Sequence, residues 1–318
     1  MQAYIIRRLL QMILVLLIVT MIVFVIVRLL PGDPILMYLS RADIDEITPE
    51  QIEITKKQLG LDRALPIQYV SWLGDLLKGD LGDSIITRTP VVNEIKGRLP
   101  ITLHLGLLAF ILSIIVGIPI GVIASIRRGS WIDNVFTGLG NLGITLPSFW
   151  LGILLIYLFG YKLQWLPLFG YTSPFKDFWL NTQQIIMPVI VLAAAPIATG
   201  VRITRSSMLE VLQQDYVRTA WSKGLTERKI ILKHALRNGL LPVVAMKGMS
   251  LVAIVGGSVL VETVFNIRGM GKLAVDGLFS QDYPVVQGVL IVVATFTLVM
   301  NLLIDLSYGW LDPRVRYE

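Results

Sequence analysis

Few residues in this chain could carry out covalent or metal chemistry. There is no cysteine among its 318 residues, so disulfides, thiolate metal sites, iron–sulfur clusters and cysteine nucleophiles are all excluded. The two histidines, His104 and His234, lie far apart in the sequence, which argues against a zinc or haem site. No G-x-x-x-x-G-K-[ST] phosphate-binding loop occurs either. We therefore expect a chain that is not an enzyme and that holds no cofactor or metal of its own.

Glycines recur at close spacing inside apolar runs. A G-x-G-x-x-G pattern occupies residues 138–143, but no strand precedes it, so a dinucleotide-binding loop is not favoured. Gly117 and Gly121 are four residues apart in another apolar run. Small residues at such spacing in a membrane helix allow a neighbouring helix to approach closely. We expect these glycines to serve helix packing.

Polar and ionisable residues inside apolar runs are candidates for a functional site. Lys247 and Asp305 fall at comparable depths in two different runs, and we favour a structural ion pair between them over a proton or substrate site. Five uncharged polar residues could face a translocation path, with hydrogen bonds between helices as the alternative. These residues are Asn141, Thr145, Ser148, Ser250 and Ser258.

The composition indicates which elements carry these residues. Hydrophobic residues make up 54% of the chain and charged residues only 16%, whereas a soluble domain carries about 25% charged residues. A bilayer core of about 30 Å takes roughly 20 apolar residues of helix to cross. Six runs of that kind cover residues 9–30, 101–124, 135–160, 185–201, 240–264 and 285–309. The sequence thus predicts an all-α, polytopic membrane protein with six transmembrane helices.

Lysine and arginine are distributed unevenly between the two sides that these runs define. The connections on one side, together with both termini, carry fourteen basic residues, and the short connections on the other side carry four. Because basic residues stay in the cytoplasm, both termini are predicted to be inside. The net charge of +6 then reflects membrane orientation and not nucleic-acid binding.

Three regions follow from this topology. They are residues 1–30, the cytoplasmic amino terminus and first span; residues 31–100, an extracytoplasmic insertion; and residues 101–318, a core of five spans with a cytoplasmic loop at 202–239. Within the insertion, Pro49 and Pro66 stand where helices begin, and Gly60 and Gly79 where they end. A third short helix is predicted over residues 90–97. We expect a small helical cap on the outer membrane face.

The cytoplasmic loop contains a short amphipathic helix at about residues 215–224. Apolar residues recur at helical spacing from Tyr216 to Trp221, with Asp215 as the predicted N-cap and Gly224 as the predicted C-cap. Its basic residues would suit anionic headgroups, so a helix lying on the lipid surface is one interpretation. A docking element for a cytoplasmic partner is the other.

The sequence DYVRTAWSKGLTERKIILKHALRNGLLPV, which begins at Asp215, resembles the EAA loop of ABC transporter permeases in the dipeptide/oligopeptide/nickel importer family. Ala220 and Gly224 keep the family's positions, whereas Arg218 and Thr219 replace the first two residues of its Glu-Ala-Ala triplet. The long first outer connection is similar to that of the B-type subunit. Further motifs extend the resemblance over nearly the whole chain: IIRRLLQ, LLPGDP, LGLD, GDLGDSI, RITRSSMLEVL, GGSVLVETVF, DYPVVQG and LDPRVR.

The resemblance implies a membrane-spanning subunit of an ATP-driven importer for di- or oligopeptides, in the inner or plasma membrane of a bacterium or archaeon. The implied partners are a second homologous permease subunit, two cytoplasmic ATPase subunits that bind ATP and Mg, and an extracytoplasmic substrate-binding protein. The helix at 215–224 would insert into a groove of an ATPase subunit. The residues implied in this contact are Asp215, Tyr216, Arg218, Thr219, Ala220, Trp221, Lys223 and Gly224.

The side chains of this helix suit such a contact. Tyr216 and Trp221 offer apolar area, Arg218 can meet carboxylates, and the small Ala220 and Gly224 would let the partner's backbone approach. Nickel chelates, glutathione and oligosaccharides are alternative cargoes within the family. From other classes, an ion-coupled carrier would need midplane acidic residues or paired half-helices, and an intramembrane enzyme would need a nucleophile with a base.

Overall fold

The computed structural model describes residues 2–29, 48–58 and 62–311, and this part of the chain is almost entirely helical. Its β structure is limited to an isolated bridge between Asp83 and Pro90. The predicted all-α class is confirmed. In chain order the helices are α1 (Gln2–Leu29), α2 (Pro49–Gln58), α3 (Leu65–Leu77), α4 (Val91–Ile126), α5 (Trp131–Thr145), α6 (Ser148–Leu155), α7 (Phe178–Leu212), α8 (Asp215–Ser222), α9 (Glu227–Lys229), α10 (Leu236–Gly239), α11 (Leu241–Val264), α12 (Met270–Phe279) and α13 (Tyr283–Leu311). A π-helical turn, Ile156–Lys162, continues α6, and another, Ile230–Ala235, joins α9 to α10.

Several of these helices are suited to cross a membrane. Within the described ranges, four stretches are long and apolar enough: Ile5–Leu29, Val91–Ile126, Phe178–Leu212 and Tyr283–Leu306. A fifth span results if α5 and the following helix count as one broken span. The fifth predicted run is occupied by α11, a helix of 24 residues. The total of six spans and their orientation stay predictions.

The predicted third span, residues 135–160, is not one straight helix. α5 ends at Thr145, and Ser148–Lys162 leaves it at an angle of 106°. Leu146 has the extended dihedrals φ −73° and ψ 126°, because the ring of Pro147 disfavours a helical conformation for the residue before it. Pro147 also lacks an N–H that could continue the helical hydrogen bonds. The bend therefore follows from Pro147, which lies inside the apolar run predicted as one span.

The second span is longer than predicted. The expected short helix at 90–97 and the run at 101–124 form one helix, α4, of 36 residues. The boundary expected at residue 100 consequently lies inside a helix and not at the end of an element.

The helices form two compact units, and the first contains the described residues of Met1–Ile101 and Arg268–Leu306. Two of the sequence motifs meet in it, because the Ser84 hydroxyl and the Ile85 N–H both donate to the carboxylate of Asp282. The GDLGDSI motif thereby holds the start of α13. The apolar core of this unit consists of Val91, Ile95, Met270, Leu273, Val285 and Val289.

The second unit comprises Thr102–Ile267 and the described part of Ser307–Asp312. Here the α4 glycines lie against α7. A β-carbon added at Gly121 would be 2.6 Å from the Thr204 β-carbon and 2.8 Å from the carbonyl oxygen of Val201, and one added at Gly117 would be 3.1 Å from a backbone oxygen. These distances are shorter than van der Waals contact, so the predicted close packing at both glycines is confirmed.

The glycines of the G-x-G-x-x-G pattern behave differently from one another. A β-carbon at Gly143 would lie 3.1 Å from the β-carbon of Ala198 on α7, whereas one at Gly138 would meet no atom within 4 Å. Only part of this pattern therefore serves close helix packing.

Candidate functional site

α8, which follows the carboxyl-terminal end of α7, has two distinct faces. Val217 and Ala220 are 0% and 6% exposed and pack with Ile230 of the π-helical turn. The remaining predicted residues of this helix and its C-terminal turn are exposed. We call them the exposed face of α8: Asp215, Tyr216, Arg218, Thr219, Trp221, Lys223 and Gly224.

The first turn of α8 corrects one prediction. Gln214, and not Asp215, is the N-cap, and no side chain caps the helix. The Asp215 carboxylate instead lies 3.5 Å from the guanidinium of Arg218. Asp215 is the first residue inside the helix, where its negative charge interacts favourably with the positive end of the helix dipole.

The end of α8 also differs by one residue from its prediction, because Lys223 is the C-cap and Gly224 follows it. Gly224 has φ +75°, a left-handed conformation that strains residues with a β-carbon. Its N–H donates to the carbonyl oxygen of Trp221 at 2.9 Å, and the Leu225 N–H donates to that of Ala220 at 3.4 Å. These bonds satisfy carbonyls that the helix end would leave unpaired, so Gly224 terminates α8.

Ala220 does not lie where the sequence analysis expected it. Its small side chain faces Val217 and Ile230 of the same chain, because it falls on the apolar stripe of the helix. It cannot provide close approach for a partner. Gly224 can, because it is exposed and a β-carbon there would meet nothing within 4 Å.

Two aromatic side chains dominate the exposed face of α8. Tyr216 is 41% exposed and Trp221 is 48% exposed. The side-chain amide of Asn238 donates to the Tyr216 hydroxyl at 2.8 Å, which links α8 to α10. Because this bond already restricts the Tyr216 ring, less side-chain conformational freedom would be lost when a partner binds it.

A second buried cluster joins the π-helical turn that follows α8 to α7. Met208 of α7 packs with Ile231 and Ala235 of the π-helical turn. A β-carbon added at Gly239 would be 2.6 Å from the Met208 sulfur, so α10 also lies directly against α7. α8 is thus carried on a tightly packed base.

A bidentate ion pair joins the carboxyl-terminal part of α7 to the start of α5. The Nε and Nη2 atoms of Arg205 donate to the two carboxylate oxygens of Asp133 at 2.6 and 2.8 Å. The Gly129 N–H and the Thr137 hydroxyl also donate to this carboxylate, at 3.0 and 3.3 Å. Asp133 is only 2% exposed, yet its charge is fully compensated.

Sequence reasoning missed this ion pair. Ser130 accepts a hydrogen bond from the Asp133 N–H, so the Ser-x-x-Asp spacing of an N-cap was available and would have located the start of α5. Nothing in the sequence associates Asp133 with Arg205, because 72 positions separate them.

Lys247 and Asp305 each have other partners within their own unit. The Lys247 ammonium donates to the carbonyl and hydroxyl oxygens of Ser113 at 3.1 and 2.9 Å, and to the carbonyl of Pro196 at 2.9 Å. Asp305 lies 3.4 Å from the guanidinium of Arg8. The ion pair between Lys247 and Asp305 stays a prediction.

The residues predicted for a translocation path all belong to the second unit. Asn141 and Thr145 are exposed on α5, and Ser148 is half-buried just beyond the bend. Ser250 is half-buried and donates to a carbonyl of its own helix at 3.0 Å. Ser258 is 1% exposed, which fits the alternative of helix packing. A path along the other four stays a prediction.

The sequence analysis also passed over Glu262 of α11. This carboxylate is 0% exposed and accepts a hydrogen bond from the Thr102 hydroxyl at 2.7 Å. A lone acidic residue within the predicted run at 240–264 was the available signal.

Comparison with known proteins identifies the family. Residues 117–317 match the family described as "Binding-protein-dependent transport system inner membrane component", and residues 1–106 match the amino-terminal family of the same membrane components. The chain belongs to this permease family. The resemblance stated from the motifs and the location in the inner membrane are confirmed.

Relatives of the permease have similar lengths and related names. It is 40% identical over 320 residues to an oligopeptide transport system permease of Bacillus subtilis strain 168, with 100% of both chains covered. It is 40% identical over 315 residues to a glutathione transport system permease of Pectobacterium atrosepticum, with 99% of both covered. An inward-facing structure of the MetNI methionine ABC transporter has a TM-score of 0.54 at 17% identity, covering 66% of the permease and 93% of that chain. This last likeness concerns the fold alone.

Proposed function

We propose that this permease, together with a second homologous subunit, forms the translocation path of an ATP-driven importer for short peptides. The names of its relatives support this cargo. The Bacillus relative is named for oligopeptides and the Pectobacterium relative for glutathione, itself a modified tripeptide. Both names describe small molecules that contain peptide bonds. An extracytoplasmic binding protein would deliver such a molecule to the outer face.

We further propose that α8 is the coupling helix, docked on a cytoplasmic ATPase subunit. The observation that carries this proposal is the orientation of its two faces. A helix lying on lipid would turn its apolar stripe toward the membrane. In α8 the stripe of Val217 and Ala220 is already covered by the chain itself.

The residue types on the exposed face favour a protein partner. Trp, Tyr and Arg are the types most enriched among residues that dominate binding energy, and α8 exposes Trp221, Tyr216 and Arg218 together. The ion pair of Arg218 with Asp215 is largely exposed, so the attraction between the two side chains is weak. Arg218 can therefore exchange Asp215 for a carboxylate of the partner.

The connections of α8 would carry ATPase movement into the membrane. ATP and Mg, bound by the ATPase subunits, can shift the permease between states only through contacts that differ in those states. Val217 and Ala220 pack with Val211 and Leu212 in one cluster, which ties α8 to α7. The Arg205–Asp133 pair ties α7 to α5. α5 carries Asn141 and Thr145, which we propose face the path.

Replacement of Trp221 tests this function. A tag on the permease should co-purify a second permease subunit and subunits that hydrolyse ATP. Trp221→Ala should weaken ATPase retention by about 30-fold or more, because a hot-spot residue contributes about 2 kcal/mol or more. Trp131→Ala is the matched control, since Trp131 is 73% exposed but lies outside α8.

Three results distinguish the parts of the proposal. Loss of the ATPase subunits from Trp221→Ala alone supports docking through α8. Equal retention by both variants would contradict it. Purification of the unmodified permease as a lone, fully active transporter would contradict the importer assembly itself.

A further inference from the structure

α3, in the segment between the first two spans, is mostly apolar, and its polar side chains, Gln68, Ser71 and Asp75, lie along one narrow stripe. Between Arg63 and Lys78 its only charged residue is Asp75. A helix with so wide an apolar surface is normally in contact with protein or with lipid over most of its circumference. Such a helix does not suit the water-exposed cap that the sequence analysis expected at the outer membrane face.

One face of α3 packs on α1. The Tyr69 and Trp72 rings lie 5.4 and 5.6 Å from the ring of Phe24, measured between centroids. Gln68 accepts a hydrogen bond from the Nε atom of Arg28 at 3.0 Å. The aromatic side chains of α3 are therefore directed toward its own chain.

The opposite face of α3 is aliphatic and uncovered. Ile67, Val70 and Leu77 are 56%, 66% and 81% exposed. Their spacing of three and seven residues places them on one side of the helix. Protein-binding surfaces depend mainly on aromatic and arginine side chains, and this face has neither.

The depth at which α3 meets α1 identifies what covers this face. Arg7 and Arg8 mark the inner end of the first span, and a bilayer core of about 30 Å then extends from Leu9 to about Leu29. The Tyr69 hydroxyl lies 2.9 Å from the Thr20 hydroxyl and 3.5 Å from the carbonyl oxygen of Leu17. At 1.5 Å per residue, Thr20 is about 14 Å below Leu29, close to the middle of the membrane.

We propose that α3 is inserted in the outer leaflet and that Ile67, Val70 and Leu77 contact lipid acyl chains. A tyrosine side chain is too short to reach Thr20 from a helix lying above the headgroups. The region between the first two spans thus contributes a membrane-embedded helix that supports α1 from the lipid side.

Spin labelling tests this insertion, and the chain suits it because it has no cysteine of its own. A nitroxide is attached to Val70→Cys in the full chain, in nanodiscs of phosphatidylethanolamine and phosphatidylglycerol with all co-purifying proteins. Its collision rates with oxygen and with a water-soluble nickel chelate are then measured. Three standards are Ile18→Cys on the exposed side of the first span, Thr87→Cys in the outer turn, and Val27→Cys in a buried cluster.

The proposal predicts a high oxygen and a low nickel collision rate at Val70, matching those at Ile18. Ile67→Cys and Leu77→Cys provide independent positions if Val70→Cys is poorly produced. High nickel access, as at Thr87, would mean that the face lies in water and would overturn the proposal. Low access to both reagents, as at Val27, would overturn it in favour of a covering protein.

Discussion

Arg205 and Asp133 show how a single pair of residues can hold two helices, α7 and α5, together. The carboxylate is buried and accepts two bonds from the guanidinium, whose side chain is 28% exposed. Charges in so little water attract strongly, and removal of one partner leaves the other uncompensated. The pair therefore depends on both members being present.

Arg205→Gln should destabilise the permease by about 2–4 kcal/mol, since it leaves the Asp133 charge buried without its partner. Thermal unfolding of the purified protein in detergent measures this. Arg202→Gln is the control, because Arg202 is exposed one turn away on the same helix. Equal melting temperatures for the two variants would show that the ion pair contributes nothing.

Individual partners of this kind could not be predicted from the sequence. Lys247 was recognisable in the sequence as an unusual residue, but the groups that its ammonium binds, Ser113 and the Pro196 carbonyl, were not. Backbone and hydroxyl oxygens occur along every helix and leave no mark in the sequence. A charged residue in an apolar run thus indicates that a polar partner exists without identifying it.

At the scale of elements, the crossing of α4 and α7 depends on two small residues. Gly117 and Gly121 let the α7 backbone approach to distances at which even one methyl group would clash. Membrane helices associate largely through such packing, because apolar side chains are as well solvated by lipid as by another helix, and the hydrophobic effect therefore does not drive the helices together. The crossing should therefore be sensitive to very small additions of volume.

Gly121→Ala should destabilise the permease by about 1–3 kcal/mol, because its β-carbon would lie 2.6 Å from that of Thr204. Gly138→Ala is the matched substitution in open space, and it should be neutral or stabilise by about 0.5–1 kcal/mol as alanine favours the helix. The melting temperatures of the two variants in detergent provide the comparison. A similar fall for both would indicate that helix flexibility, and not close packing, explains these glycines.

Elements were predicted best where a strong periodic pattern ended in clear signals. α8 was predicted from the sequence with its apolar stripe and with a glycine at its end, and each of its two caps was misplaced by one residue. The third span was predicted as one unbroken run because hydropathy does not report the direction of a helix. An apolar run has the same mean hydropathy whether the chain is straight or bends by 106° at Pro147.

At the scale of the whole molecule, composition was enough to predict a helical, multi-pass membrane protein, and the ordered motifs were enough to predict its family. The motifs GDLGDSI and DYPVVQG were recognisable separately, but their contact through Ser84 and Asp282 was not. The separation between them is 198 residues. Long-range contacts of this kind follow from the packing of all the helices together.

If α8 transmits work from an ATPase subunit, its exposed face must touch that subunit, and site-specific photocrosslinking detects such a contact. A benzophenone maleimide is attached to Thr219→Cys on the exposed face of α8, or to the exposed Arg128→Cys as a cytoplasmic control. Membranes are irradiated with ATP, with ADP and without nucleotide. We expect an adduct between position 219 and an ATP-hydrolysing subunit in at least one condition, and none from position 128. Labelling of lipid alone from position 219 in all three conditions would show that α8 does not dock on an ATPase subunit.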